Sequence, residues 1–227
     1  MIDHARRKYL GSGDSGPLMA WKRPELEESL AKYQTVADVY MRVALDIHQP
    51  QRAVMTRGLT QEPRLRQLYR DSVGPTSEPP GVLLHPTYDW CAGSPDGLVG
   101  DDGISEYKTT HIRSRSQWGE PGTDKIPNSY GTQLQWLFAV TGRKWAHLLV
   151  AFGQDGKGEQ GEPIFSIYET AVYECERDDE LCAALMGFGE EFWRTHVLPR
   201  VPPTVPSRHN LRQWKRIQKE AANVSSD

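Results

Sequence analysis

Two acids and a lysine gather around one short turn of this chain: Asp96 in Ser94-Pro95-Asp96-Gly97, then Glu106 and Lys108 in Glu106-Tyr107-Lys108. Two carboxylates can anchor a hard divalent cation such as Mg²⁺, which takes oxygen ligands and leaves its other positions to water or substrate phosphate. A lysine beside it can orient or deprotonate an attacking water, or stabilise the charge that develops on a phosphate. The pattern suits phosphodiester hydrolysis. Taken alone it suits equally a solvated hairpin edge where an acid and a base pair, so the surrounding elements must decide.

Those elements are legible. Tyr88 to Ala92 reads as a short strand, Gly100-Asp101-Asp102-Gly103 as a turn, and Ile104 to Thr110 as the returning strand. A hairpin centred between Asp101 and Asp102 places Asp96 opposite Tyr107, with Glu106 as its near neighbour. Strand alternation then sends Glu106 and Lys108 to one face and Tyr107 to the other. Upstream, Arg57 to Tyr69 has Leu59, Leu65, Leu68 and Tyr69 at helical spacing, with Glu62 on the same stripe. A helix beginning near Thr60 tolerates Pro63 and leaves Glu62 in its first turn. There Glu62 is either an interior acid that needs a partner such as a metal, or an acid favoured by the helix dipole. Downstream, Tyr130 to Gly142 is an apolar helix closed by glycine, with Gln133 and Gln135 near its start.

Read in order, Arg57-Gly58 with Glu62-Pro63 and Tyr69, His85-Pro86 with Trp90 and Ser94-Pro95-Asp96-Gly97, then Glu106 with Lys108 and Gln133 with Gln135, resemble the phage lambda exonuclease family. These are the YqaJ-type viral recombinases of the PD-(D/E)xK nuclease superfamily, and the resemblance runs from about Leu10 to Gly153. It implies an α/β fold with a restriction-endonuclease-like core, a central mixed β-sheet flanked by helices. By resemblance, Asp96 and Glu106 are the paired metal carboxylates, the Tyr107 carbonyl is a further ligand, and Glu62 completes a site for two Mg²⁺ ions, with Mn²⁺ as a substitute. Lys108 matches the lysine that assists the water, and Gln133 the glutamine that supports the centre. Ser94 stands where the family offers a hydroxyl to a terminal 5′-phosphate. Leu10-Gly11-Ser12-Gly13-Asp14-Ser15 resembles the family's IGxSD segment, with Gly13 where serine is usual and Ser12 or Ser15 as the replacement. Arg6 or Arg7, and Arg113 or Arg115, are the candidate phosphate clamps, and Trp118 is either a residue that stacks on or wedges the duplex end or a surface tryptophan over an apolar patch.

The activity so implied is 5′-to-3′ digestion of one strand of linear double-stranded DNA, leaving a 3′ overhang for a single-strand annealing protein. Known relatives are homotrimer rings. The same residues serve an endonuclease of restriction or junction-resolving type, and a DNA-end-binding module that has lost catalysis is the third reading.

Composition bounds the rest. The 227 residues, 37% hydrophobic, fit one domain over 1–200, and no apolar run is long enough to span a membrane. Residues 201–227 form a Pro-rich linker followed by a basic helix or tail with Arg208, Arg212, Lys215, Arg216 and Lys219. Met1 to Lys8 has no signal-peptide pattern, so the cytoplasm is the expected compartment. Cys91, Cys175 and Cys182 are odd in number and unclustered, against a disulfide framework, a zinc ribbon or an iron–sulfur site. The net charge of −3 is unlike a general DNA coat, yet the segment from Tyr107 to Gly119 holds Lys108, Arg113 and Arg115 and no acid, while acids crowd between Glu174 and Glu191. Glu25 to Ile47 reads as one helix, Trp145 to Phe152 and Ile164 to Tyr173 as strands joined by the loop Gly153 to Pro163, and Leu181 to Val197 as a last helix ended by Pro199.

Overall fold

A computed structural model describes residues 8–48 and 52–204. The expected basic helix after residue 206 and the candidate clamps Arg6 and Arg7 lie outside them.

The centre of the fold is a four-stranded sheet in the order β3 (Gly97–Val99), β4 (Gly103–His111), β5 (Trp145–Lys157), β6 (Pro163–Glu176). β4 and β5 run parallel, and the other two pairings are antiparallel, which gives the mixed sheet that the sequence implies. The parallel pair needs a crossover. It is supplied by a 3₁₀ turn at Ile112–Gln117 and by α5 (Asn128–Thr141), which ends on Gly142 in a left-handed conformation with φ 71°. A second, two-stranded ribbon pairs β1 (Leu83–Leu84) with β2 (Ala92–Gly93).

Each face of the sheet is covered. On one, Ile104, Leu148 and Val150 pack with Leu134, Leu137 and Phe138 of α5. On the other, Tyr107, Leu149 and Ala151 meet Leu65 and Tyr69 of α4 (Ala53–Ser72). A helical layer of α1 (Ser15–Lys22), α2 (Glu27–Leu30), α3 (Val36–Leu45) and α6 (Asp179–Phe192) completes the fold. Its core holds Leu18, Tyr40, Trp136, Leu185 and Phe192. The indole N–H of Trp136 donates to the Ala92 carbonyl at 2.8 Å, tying α5 to β2. Among the described residues no helix is long and apolar enough to cross a membrane.

Several expectations are corrected. The hairpin pairs Val99 with Gly103 and Gly97 with Ser105, so its connection has three residues and Asp96 falls opposite Glu106 instead of Tyr107. Gly100, with φ 50°, makes the three-residue turn possible. The strand expected over Tyr88 to Ala92 is displaced to Ala92–Gly93. The helix expected over Glu25 to Ile47 breaks, because Thr35 donates its N–H and its hydroxyl to Asp38 Oδ2 and starts α3 afresh. α4 begins at Ala53, well before Thr60, and carries Pro63 in its interior, so Glu62 is not a first-turn acid. Leu59 stays 53% exposed, off the buried stripe. β5 and β6 extend through the stretch expected to be a loop, since backbone pairing between Gly153–Lys157 and Pro163–Ile167 needs no apolar side chains.

Gly103 sits against the neighbouring strand, where an added Cβ would lie 2.3 Å from the Trp145 ring. Gly103→Ala should therefore cost about 1–3 kcal/mol of stability by overpacking. The expected readout is a lower urea midpoint at unchanged slope, and an unchanged midpoint would show that the ring yields freely.

Candidate active site

The site forms where β3 stops short of β4. Gly97 makes the last pairing in the ladder, and the next N–H along that edge of β4 belongs to Tyr107. With no backbone acceptor opposite, Tyr107 N–H donates to Asp96 Oδ2 at 2.9 Å. The Asp96 N–H in turn donates to Glu106 Oε1 at 3.1 Å, and Lys108 Nζ donates to Glu106 Oε2 at 2.8 Å. Asp96, Glu106 and Lys108 thus share one hydrogen-bonded patch, with the Glu106 side chain only 6% exposed. A strand residue turns its N–H and its C=O toward the same edge. The Tyr107 carbonyl therefore also faces the open edge beside Asp96, while its ring is buried on the α4 face.

The electrostatics follow from this crowding. Burial, then the Glu106 carboxylate and more weakly Glu62, push Asp96 up to about 7, against the opposing pull of Lys108 and the Tyr107 N–H. Burial would draw the Lys108 ammonium down, but Glu106 and Asp96 outweigh it and hold the group above its ordinary value. Lys108 is accordingly protonated near neutrality. Tyr130 of α5 lies near enough to feel this charge; burial raises its phenol and Lys108 partly lowers it.

α4 brings Glu62 and Arg66 to the other side of the Asp96 turn. The Arg66 guanidinium donates to Glu62 Oε1 at 2.6 Å, to the Asp96 carbonyl at 3.3 Å and to Glu78 Oε2 at 3.3 Å. It lies over the Tyr107 ring, 5.9 Å from the centroid. Its Nε has no hydrogen-bond partner, and leaving a buried donor unsatisfied costs about 1–3 kcal/mol. Arg57, at the start of the same helix, donates to Thr109 Oγ1 at 3.1 Å and pairs with Asp155 at 2.6 Å, holding α4 to the far end of β4.

Among the described residues, no group of three or more His, Cys, Asp or Glu side chains is closed up as a metal cage. The donor chemistry nonetheless fits a hard divalent cation. Two enclosed carboxylates and a backbone carbonyl are oxygen donors that such ions take with water, and the carboxylates carry more charge than Lys108 offsets. Glu62 lies close enough to raise Asp96, but its Oε1 is held by Arg66.

The other candidates are placed as follows. Gln133 is half-buried on α5, and its side chain makes no hydrogen bond among the described residues. Gln135 bridges the Glu176 carbonyl and the Asp178 N–H, a structural duty at the start of α6. Ser94 donates to the Gly81 carbonyl at 2.7 Å. The chain at Leu10 lies alongside Cys91 in a parallel bridge, which brings the Ser12 turn beside the segment that leads to Ser94. Within that turn Ser15 is fully buried and donates to the Ser12 carbonyl at 2.7 Å, so its hydroxyl is spent internally, while Ser12 is half-buried. Asp14, 4% exposed, organises the turn by accepting from the Gly11 N–H, Gln34 and Arg42.

Two expectations change. Trp118 is 6% exposed and packs with Tyr130, Phe152 and Tyr173, so it is a core ring unable to stack on a duplex. Arg115 pairs with Glu169 at 2.7 Å and donates to the Trp118 and Gly119 carbonyls, so its guanidinium braces the loop, whereas Arg113 is exposed. His111 accepts the Arg113 N–H, His85 accepts the Thr87 and Tyr88 N–H groups, and His147 bonds the Tyr69 hydroxyl, which makes all three structural. The three cysteines are buried free thiols. Arg66 was missed as a partner of the site; its signal was its place four residues after Glu62, the spacing of a helical ion pair.

A family model described as YqaJ-like viral recombinase domain matches residues 3–144. Among solved structures, the alkaline exonuclease LHK-Exo from Laribacter hongkongensis is similar over 97% of this chain and 96% of its own, at 24% identity and a TM-score of 0.57. Its complex with dAMP gives 23% identity, 94% and 96% coverage and a TM-score of 0.60. A phage related exonuclease from Haemophilus somnus 129PT is 12% identical over 82% of this chain and 95% of its own, with a TM-score of 0.52. No curated protein matches the sequence. The likeness establishes a fold of the restriction-endonuclease-like type.

The raised Asp96 has a consequence for stability. Its folded value of about 7 against an ordinary 3.8 means that the native state binds more protons between those limits, so the metal-free protein loses stability as pH rises through that window. Asp96→Asn keeps an acceptor for the Tyr107 N–H and removes the charge. In EDTA at pH 8 it should raise the melting temperature by about 5 °C, equivalent to about 1–2 kcal/mol, with the gain vanishing below about pH 4. A variant that melts no higher than wild type at pH 8 would show that the charge costs nothing.

Proposed function

The chain belongs to the YqaJ-like viral recombinase family, and on that premise we propose that it is a deoxyribonuclease that digests one strand of linear double-stranded DNA from its 5′ end. The observation that carries this reading is the lacing of Asp96, Glu106 and Lys108 at the open edge of β4. The exonuclease names borne by the similar solved structures support it.

Asp96, Glu106 and the Tyr107 carbonyl would hold Mg²⁺, or Mn²⁺ in its place, with Glu62 offering a further carboxylate from α4. Bound there, the cation supplies Lewis-acid polarisation of the scissile phosphate and lowers the pKa of water. The chain's own residues do the rest. Lys108 is held as an ammonium by Glu106, so its role is to orient the attacking water and balance the growing negative charge, in preference to removing a proton. Gln133, half-buried on α5, the helix that covers this face of the sheet, would support the centre as the family resemblance implies. The Ser12 turn and, on the adjacent segment, the Ser94 hydroxyl once it turns away from the Gly81 carbonyl would take the terminal 5′-phosphate, and the exposed Arg113 a backbone phosphate. Digestion would leave a 3′ overhang, the substrate of a single-strand annealing protein. A ring of three copies would keep the enzyme on its DNA, and residues 1–200 would act as one domain, followed by the Pro-rich linker and basic segment of 201–227.

Two measurements test this. Lys108→Ala should lower Mg²⁺-dependent nucleotide release by about 10²–10³-fold while a gel shift still detects DNA binding, and unchanged turnover would refute the role. Linear duplex with 5′-phosphate ends should be degraded faster than the same duplex with 5′-hydroxyl ends, and closed circles should survive. Rapid cutting of intact circles would establish an endonuclease instead.

A further inference from the structure

Arg66 is the buried cation that the proposed chemistry leaves unused. Its side chain is 7% exposed, and one terminal nitrogen touches both the Glu62 carboxylate of its own helix and the backbone carbonyl of Asp96. The other nitrogen reaches Glu78, which also pairs with Arg70 at 2.7 Å. Glu62 is bonded through Oε1 alone, so Oε2 remains without a hydrogen bond among the described residues. A buried guanidinium with an unsatisfied Nε is a poor stabilising device, since apolar residues fill such space at no desolvation cost. What a guanidinium does well is to fix two acceptors in one plane, because its donors are rigidly forked.

We propose that Arg66 is a positioning residue that orients Glu62 toward the Asp96–Glu106 pair, so that the carboxylate presents its free oxygen to a divalent cation. The inference rests on the metal-dependent nuclease reading above. It explains how an acid inside α4 is held in register with a turn more than thirty residues later, when the helix and the turn share no backbone ladder. Outer partners of this kind set ligand orientation, and their loss costs about 10–100-fold in metal affinity.

The test is Mn²⁺ binding by titration calorimetry to the full chain, with melting curves for every variant. Arg66→Lys keeps the charge but loses the fork, and it should weaken Mn²⁺ binding about tenfold. Arg66→Gln serves as the second variant should the lysine fail to fold. The decisive comparison uses a Glu62→Gln background, where Arg66→Lys should cause no further loss, since its effect passes through Glu62. Wild-type affinity in Arg66→Lys, or the same tenfold loss in the Glu62→Gln background, would overturn the proposal. Wild-type protein that binds Mn²⁺ but releases no nucleotides would sink the nuclease reading and leave this coupling measurable; wild-type protein that binds no Mn²⁺ would sink both.

Discussion

Two carboxylates cannot be enclosed side by side without compensation, and the site is arranged around that constraint. Asp96 and Glu106 are brought together because the hairpin register sets Asp96 opposite Glu106, one residue beyond the last pairing of β3. The missing backbone acceptor for Tyr107 N–H is replaced by the Asp96 side chain, so a gap in the sheet is what fixes the orientation of the acid. Lys108 compensates part of the charge, while burial and then the neighbouring Glu106 carboxylate keep Asp96 raised to about 7. A structure that merely needed stability would have closed the ladder.

The same logic explains what surrounds the patch. The face of β4 that carries Tyr107 is anchored by α4 through Leu65 and Tyr69, and the face that carries Glu106 by α5. Behind the hairpin, Ser105 joins Thr76 at 2.7 Å and the Tyr107 hydroxyl at 2.9 Å, while Ser77 pairs with Leu98 along the outer edge of β3. The short strand is thereby held from both sides, which a three-residue strand could not achieve alone. Charge is partitioned as well: Glu190 and Glu191 on α6 pair outward with Arg194 and Lys22, away from the carboxylate patch. A net charge of −3 is therefore compatible with a locally basic loop at the exposed Arg113.

Much of this was legible in the residues. The alternation of Glu106, Tyr107 and Lys108 gave their faces correctly, because strand period alone decides it. The glycine-closed helix over Tyr130 to Gly142 and the mixed sheet also emerged as expected. The register of the hairpin did not: the three-residue connection over residues 100–102 shifts the pairing by one and moves Asp96 from Tyr107 to Glu106, and that connection is set by backbone conformation at Gly100. α4 was expected to begin near Thr60 because Pro63 argues against a helix interior, yet packing of Leu65 and Tyr69 against the sheet overrides that local preference. Trp118, left open between a DNA contact and a surface ring, and Arg115, left undivided from Arg113 as a clamp, became core ring and brace, since sequence spacing cannot tell an inward side chain from an outward one.

By itself the sequence determined which chemistry is available: the acids, the lysine and their strand periodicity are local facts, and motif order identifies the family. Tertiary structure decided which groups meet. That Glu62 shares Arg66 with the turn at Asp96, that Ser15 is sealed while Ser12 is not, and that the Ser12 turn lies beside the approach to Ser94 all depend on contacts between distant segments. Such contacts are selected by packing and by the need to satisfy buried polar groups, and neither leaves a periodic trace in the chain.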